Sequence, residues 1–146
     1  MSMKQERLNI LIVEDDPGDA HLLIEIIGTG YQVETANQLK SAAGYLSDCR
    51  YDLIFLDLNL PDSTGLETVV SVQKLAPEIP IIVLTGLEDD TLAYDALQKG
   101  AQDFLIKGES SESQLHRSIR YAIERNRLMV SLQQVCDERE ELEKAL

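Results

Sequence analysis

The order of apolar runs in this 146-residue chain predicts an α/β fold: a doubly wound, five-stranded parallel sheet followed by an extended C-terminal helix. Three observations carry the prediction. Five short apolar runs occur at 9–13, 32–35, 52–56, 81–84 and 103–106; segments of helical length separate them; and the chemistry-bearing residues stand just after the runs. Strand and helix alternate throughout, so right-handed βαβ units should stack the strands in parallel.

The runs differ in a way that orders them. Asn9-Ile10-Leu11-Ile12-Val13, Asp52-Leu53-Ile54-Phe55-Leu56 and Ile81-Ile82-Val83-Leu84 are continuous and rich in β-branched residues, as suits central strands covered on both faces. Gln32-Val33-Glu34-Thr35 alternates and reads as an edge, and Asp103-Phe104-Leu105-Ile106 completes the set. Helices are expected over 19–27, closed by Gly28, then over 38–47, 64–75 and 89–99, the last closed by Gly100. Ser110-Ser111-Glu112-Ser113 reads as a helix start, with Ser111 or Ser113 as cap. Beyond it Leu115, Ile119, Ala122 and Ile123 form a stripe that would lie on the sheet.

Composition excludes several classes. Twenty-six Asp and Glu oppose 13 Lys and Arg, a net charge of −13, which argues against binding nucleic acid or an anionic membrane through a basic face. Residues 1–111 carry −12 of that excess. Cys49 and Cys136 stand far apart with no CxxC, so a disulfide framework and a zinc site drop out and a reducing, cytoplasmic setting is expected. No apolar run approaches the ~20 residues of a membrane span, and the first residues lack a signal-peptide core. The organisation read from these patterns is an N-terminal lead over 1–7 outside the fold, a domain over 8–126 and a helical connector over 127–146.

In a parallel sheet the residues after each run share one rim, where ligands of such folds bind. Here these are Glu14, Asp15 and Asp16, then Asp57 and Asn59, then Thr85, then Lys107. Each alone is more often a solvated turn residue. Together they bring three or four carboxylates into one crevice, where mutual repulsion calls for a hard divalent cation such as Mg2+. A lysine and a hydroxyl beside that cation suit the remaining oxygens of a phosphoryl group. No Walker loop or GxGxxG is present to cradle a nucleotide. If the chemistry is covalent, Asp57 is the best nucleophile, since it ends the central run and precedes a loop with Pro61 and Gly65; Glu14 and Asp15 then hold the metal. Asp16 either joins them or turns outward to start the helix at Asp16-Pro17-Gly18-Asp19.

From about Leu8 to Ala122 the pattern resembles the receiver domains of two-component response regulators. The pieces that carry the likeness are Ile10-Leu11-Ile12-Val13-Glu14-Asp15-Asp16-Pro17, the stretch Asp57-Leu58-Asn59-Leu60-Pro61-Asp62-Ser63-Thr64-Gly65 with the run before it, Pro80 to Gly86 with Thr85, and Gly100 to Lys107. The resemblance implies a flavodoxin-like strand order of 2-1-3-4-5. It implies that Asp57 accepts a phosphoryl group from a histidine kinase or phosphotransfer protein. It further implies that Glu14, Asp15, Asp57 and the backbone carbonyl of Asn59 bind Mg2+ (or Mn2+), that Thr85 and Lys107 bind the phosphoryl oxygens, and that Thr85 and Phe104 form a switch. Three residues depart from the usual pattern: Phe104 where Tyr is common, Gly108 where Pro follows the lysine, and apolar Leu87 near the phosphoryl position. Leu87 is expected to exclude attacking water, so that Leu87 and Asn59 tune dephosphorylation.

The function expected is a phosphorylation-dependent signalling switch, not an enzyme. A hydrolase working through an aspartyl phosphate would place a second acid two residues after the nucleophile, where Asn59 stands. A scaffold independent of phosphorylation would not need Asp57, Thr85 and Lys107 together. His21 and His116 read as ordinary surface or boundary residues and the two cysteines as inert thiols. Leu128, Leu132, Val135, Leu142 and Leu146, with Arg139 at the missing step, follow coiled-coil spacing, which reads as the seam of a parallel homodimer in preference to a lone amphipathic helix extending past the domain. The heptads break off at Leu146, which suggests that an output or catalytic domain follows, and the switch is expected to control that domain or a separate partner.

Overall fold

The computed structural model describes residues 7–86, 90–109 and 111–145. Five parallel strands, β1 (Leu8–Val13), β2 (Tyr31–Ala36), β3 (Leu53–Asp57), β6 (Ile81–Thr85) and β7 (Asp103–Ile106), form one sheet in the order β2-β1-β3-β6-β7. This is the predicted winding, reversing between β1 and β3. Five helices cover it: α1 (Pro17–Ile27), α2 (Leu39–Asp48), α3 (Leu66–Leu75), α4 (Asp90–Gln98) and α5 (Glu112–Ala145).

Strand pleating sorts the apolar runs onto two faces. Leu11, Val13, Ile54, Leu56, Ile81 and Val83 pack on one face with Ala42 of α2, Val69 and Val72 of α3, and Ala96 of α4. Ile10, Ile12, Leu53, Phe55, Ile82 and Leu84 pack on the other with Ile27 of α1 and Leu115, Ile119, Ala122 and Ile123 of α5. The register pairs Val13 with Leu56 and Asp57 with Leu84, so the C-terminal ends of the central strands finish level.

A hairpin of β4 (Asn59–Leu60) and β5 (Ser63–Thr64) occupies the loop expected after Asp57 and takes in Thr64, where the sequence pattern began the third helix. Gly65 is the cause: at φ +73° it takes a left-handed turn that other residues resist, and its N–H donates to Leu58 O at 2.8 Å. The hairpin also completes α2. Gln38 makes no side-chain cap there; Asp62 accepts the N–H groups of Leu39 and Lys40 at 2.8 and 2.9 Å instead. These backbone bonds hold the Asp62 carboxyl below its usual range.

The remaining caps are local. Asp16 accepts from Gly18 N and Asp19 N at 2.8 and 3.3 Å, with Pro17 opening α1. Ser111 Oγ accepts from Gln114 N at 3.2 Å at the start of α5. That helix runs 34 residues, roughly 50 Å at the standard rise. Its last buried residue is Ile123, and Asn126 Nδ2 donates to Glu78 O at 2.6 Å. Leu128, Leu132, Val135 and Leu142 beyond it are exposed.

Candidate functional site

Parallel strands that end level deliver their following residues to one rim. Glu14 leaves β1 with its N–H donated to Ala36 O at 2.9 Å and its side chain buried. Asp57, the last residue of β3, is buried as well; Asp15 is exposed. One carboxylate oxygen from each of Glu14, Asp15 and Asp57 lies within 4.8 Å of the others. Thr85 closes β6, buried, and its carbonyl accepts Lys107 N–H at 2.8 Å. Thus the structure brings Glu14, Asp15, Asp57, Thr85 and Lys107 together at the rim.

Lys107 is the cation among these acids. Its Nζ lies 2.6 Å from Glu14 Oε2, 3.0 Å from Asp57 Oδ2 and 3.2 Å from Asp19 Oδ2. Burial alone would lower its pKa, but the neighbouring carboxylates of Glu14 and Asp57 outweigh that and hold it above its ordinary value. The other oxygens of the pair are held by backbone: Asp16 N donates to Glu14 Oε1 at 3.1 Å and Asn59 N to Asp57 Oδ1 at 3.1 Å. Glu14 still bears the cost of its surroundings. Desolvation first, then the neighbouring Asp57, pushes its pKa up to about 7.

These residues fit a divalent cation on the structure's own terms. Glu14 Oε2 is buried and, although near Lys107, makes no aligned hydrogen bond. Three carboxylates sharing one small volume, one of them part-neutral near pH 7, are the donor set that a hard cation relieves.

The other predicted residues take distinct places. Asn59 is exposed and begins the hairpin. Phe104 is half-buried on β7, paired with Val83 and packed against the face that α2, α3 and α4 cover. Asp16 turns away to cap α1, the outward alternative. Leu87 lies outside the described residues. Gly108 adopts φ +81°, a value proline cannot take, and no peptide bond is cis among the described residues. Asp19 was missed by sequence reasoning, which used it only as a helix start; an acid one turn into the helix after the acidic pair was the available signal.

With fold and rim in place, comparison with known proteins gives the class. The family profile described as "Response regulator receiver domain" matches residues 10–120, and the chain belongs to that family. Receiver domains are phosphoacceptor switches of two-component signalling, paired with histidine kinases or phosphotransfer proteins, and are generally not enzymes. Among relatives, "Transcriptional regulatory protein ZraR" of Klebsiella oxytoca is 32% identical over 106 residues, covering 72% of this chain and 24% of that protein. "Regulatory protein LuxO" of Vibrio cholerae is 38% identical over 84 residues, 58% of this chain and 16% of that one. The chain thus spans about a quarter or less of the length of these curated relatives. NtrX from Brucella abortus superposes with a TM-score of 0.79 at 26% identity, covering 89% of this chain and 30% of that one. A CheY-like receiver domain protein from Methanospirillum hungatei shares the fold at a TM-score of 0.74 and 24% identity, covering 85% and 99%. No helix among the described residues is long and apolar enough to cross a membrane.

The raised Glu14 pKa sets a pH dependence. Between about 4.5 and 7 the folded state holds more protons than the unfolded state at this group, so its contribution to stability falls as pH rises through that window. Melting curves in a chelating buffer should show this fall, and Glu14→Gln should flatten it; an unchanged slope in the variant would refute the assignment.

Proposed function

We propose that this chain is a phosphorylation-driven switch in which Asp57 is the phosphoacceptor. The observation that carries the reading is the placement of Asp57 at the end of β3, buried, with Lys107 Nζ 3.0 Å from Oδ2 and Asn59 N–H on Oδ1. The carboxylate is thereby oriented, with one face toward the rim. An Asp57 oxygen attacks the phosphorus of a phosphohistidine on the partner kinase or phosphotransfer protein; the P–N bond breaks, the imidazole leaves and takes up a proton, and an acyl phosphate forms. Mg2+ or Mn2+, held by Glu14, Asp15, Asp57 and the Asn59 backbone carbonyl, would neutralise charge on the transferring oxygens. Lys107 pairs with those oxygens and Thr85 donates its hydroxyl to them.

Thr85 and Phe104 supply the readout. Thr85 is buried at the end of β6, and Phe104 stands on the neighbouring strand β7 beside the packing of α4. Movement of Thr85 toward the phosphoryl group frees space for the Phe104 ring, coupling one new bond to the α4 side of the sheet. The missing hydroxyl removes a polar anchor and leaves the rotation intact. Asn59, in the place of a second acid, disfavours hydrolytic turnover, and the assembled rim disfavours a phosphorylation-independent scaffold. A cytoplasmic setting, with residues 8–126 as switch and 127–146 as helical connector, completes the reading.

Three tests follow from this reading. Incubation with a small acyl-phosphate donor and Mg2+ should add one phosphoryl group by intact mass, and none in Asp57→Asn; no gain in the native chain overturns the reading, and rapid multiple turnover of the donor would favour the hydrolase. Leu87 and Asn59 set the lifetime of that adduct, so Leu87→Glu should lose the phosphoryl group faster; an equal lifetime removes Leu87 from the role. Exposed Leu128, Leu132, Val135 and Leu142 form the seam of a parallel homodimer. Sedimentation should report a dimer that Leu132→Glu converts to monomer, and a monomeric native chain would end this part of the proposal.

A further inference from the structure

We infer that Asp19 is a positioning residue for Lys107, an inference that rests on the phosphoacceptor reading of Asp57. Asp19 Oδ2 accepts a hydrogen bond from Lys107 Nζ at 3.2 Å. The carboxylate stands on a fixed base, since Asp19 lies in the first turn of α1 with its N–H on Asp16 Oδ1 and Pro17 beginning the helix.

Lys107 needs such an anchor for two reasons. Its backbone is tied to Thr85 O, but the next residue is Gly108 at φ +81°, which adds no ring and no side chain to restrain the turn. Lys107 itself lines a largely apolar cleft of about 280 Å³ between α1 and the start of α5, walled by Leu22, Leu23, Ile26, Leu105 and Leu115, with Glu14 and Asp19 as its acidic lining residues. A lysine stem gains contact by lying along such a surface, which would carry the ammonium away from Asp57.

The three carboxylates around Lys107 are not equivalent. Glu14 and Asp57 belong to the cluster within 4.8 Å that suits a cation, and Asp19 does not. If Glu14 and Asp57 engaged a divalent ion, Asp19 would remain outside its ligand set and could still hold the ammonium at the rim. It therefore keeps Lys107 within reach of the incoming phosphoryl oxygens without occupying the metal's ligand set. A point charge on four methylenes loses most by being unanchored, and small misplacements at a reacting centre are costly.

The experiment uses the full chain with Asp19→Asn and Asp19→Glu, each also combined with Lys107→Met. At saturating Mg2+, Asp19→Asn should slow phosphoryl uptake from the small acyl-phosphate donor roughly three- to tenfold. The melting temperature should hold, and Asp19→Glu should recover part of the rate. In the Lys107→Met background the same substitution should change nothing further, because Asp19 acts through Lys107. Peptide-mapped labelling by an amine-reactive acetylating agent in Mg2+ should rise at Lys107 in Asp19→Asn. Equal uptake rates in the native chain and Asp19→Asn, or equal slowing with and without Lys107, overturn the inference. If the native chain takes up no phosphoryl group, the phosphoacceptor reading falls instead, and unchanged Lys107 labelling then refutes the anchoring by itself.

Discussion

Four carboxylates and one ammonium crowd the rim of this sheet, and the balance between them governs the molecule. Glu14 and Asp57 are buried, so their charges are poorly screened by water, and Lys107 answers them at 2.6 and 3.0 Å. One lysine does not suffice: Glu14 remains pushed toward neutrality. Breaking a buried pair of this kind costs more than the pair contributes, because the remaining charge is stranded. A site left short of positive charge in this way is one that a second cation would relieve.

Everything else in the fold serves to keep those groups at these distances. Close packing on both faces of β1, β3 and β6 leaves Ile10 through Val13, Leu53 through Leu56 and Ile81 through Val83 almost no exposed surface, which sets the backbone positions of the strand ends against one another. The hairpin after Asp57 is tied at two further points: Asp62 caps α2, and Ser63 Oγ lies 2.7 Å from Thr68 Oγ1. The loop that presents Asn59 to Asp57 is therefore braced by its neighbours, which matters for a carboxylate whose orientation rests on one backbone N–H.

Helix α5 buries one face and exposes the other. Leu115, Ile119, Ala122 and Ile123 pack on the sheet, and Asn126 reaches Glu78 O. Tyr121, Leu128, Leu132 and Val135 lie on the opposite side and are 61%, 65%, 65% and 61% exposed. Because Tyr121 shares its stretch of helix with the buried Ala122, the outward stripe begins on the domain itself. A partner seated along it would thus contact both the folded switch and the helix that leaves it.

Much of this was legible in the sequence because it depends on local chemistry repeated along the chain. Continuous β-branched runs, interrupted by amphipathic segments, specified parallel strands buried on both faces, and the residues after those runs named Glu14, Asp15, Asp57, Thr85 and Lys107. The hairpin at 59–64 was hidden, since two-residue strands carry no period and only the left-handed turn at Gly65 separates them from a helix start. Asp62 was hidden too: a cap supplied from more than twenty residues away leaves no mark beside Gln38. Asp19 lies 88 residues from Lys107, and only the wrapping of α1 over the rim brings its carboxylate to the ammonium. By itself, then, the sequence determined the five main strands and their helices, the parallel βαβ alternation and the chemical types gathered at the rim, because hydrophobic period and strand-end position are properties of neighbours in the chain; the strand order came from the resemblance its motifs carry. Which carboxylates share Lys107, which of them is pushed toward neutrality, and which is left to hold it were decided by tertiary packing, because burial and distances of a few ångströms exist only between segments brought together by folding.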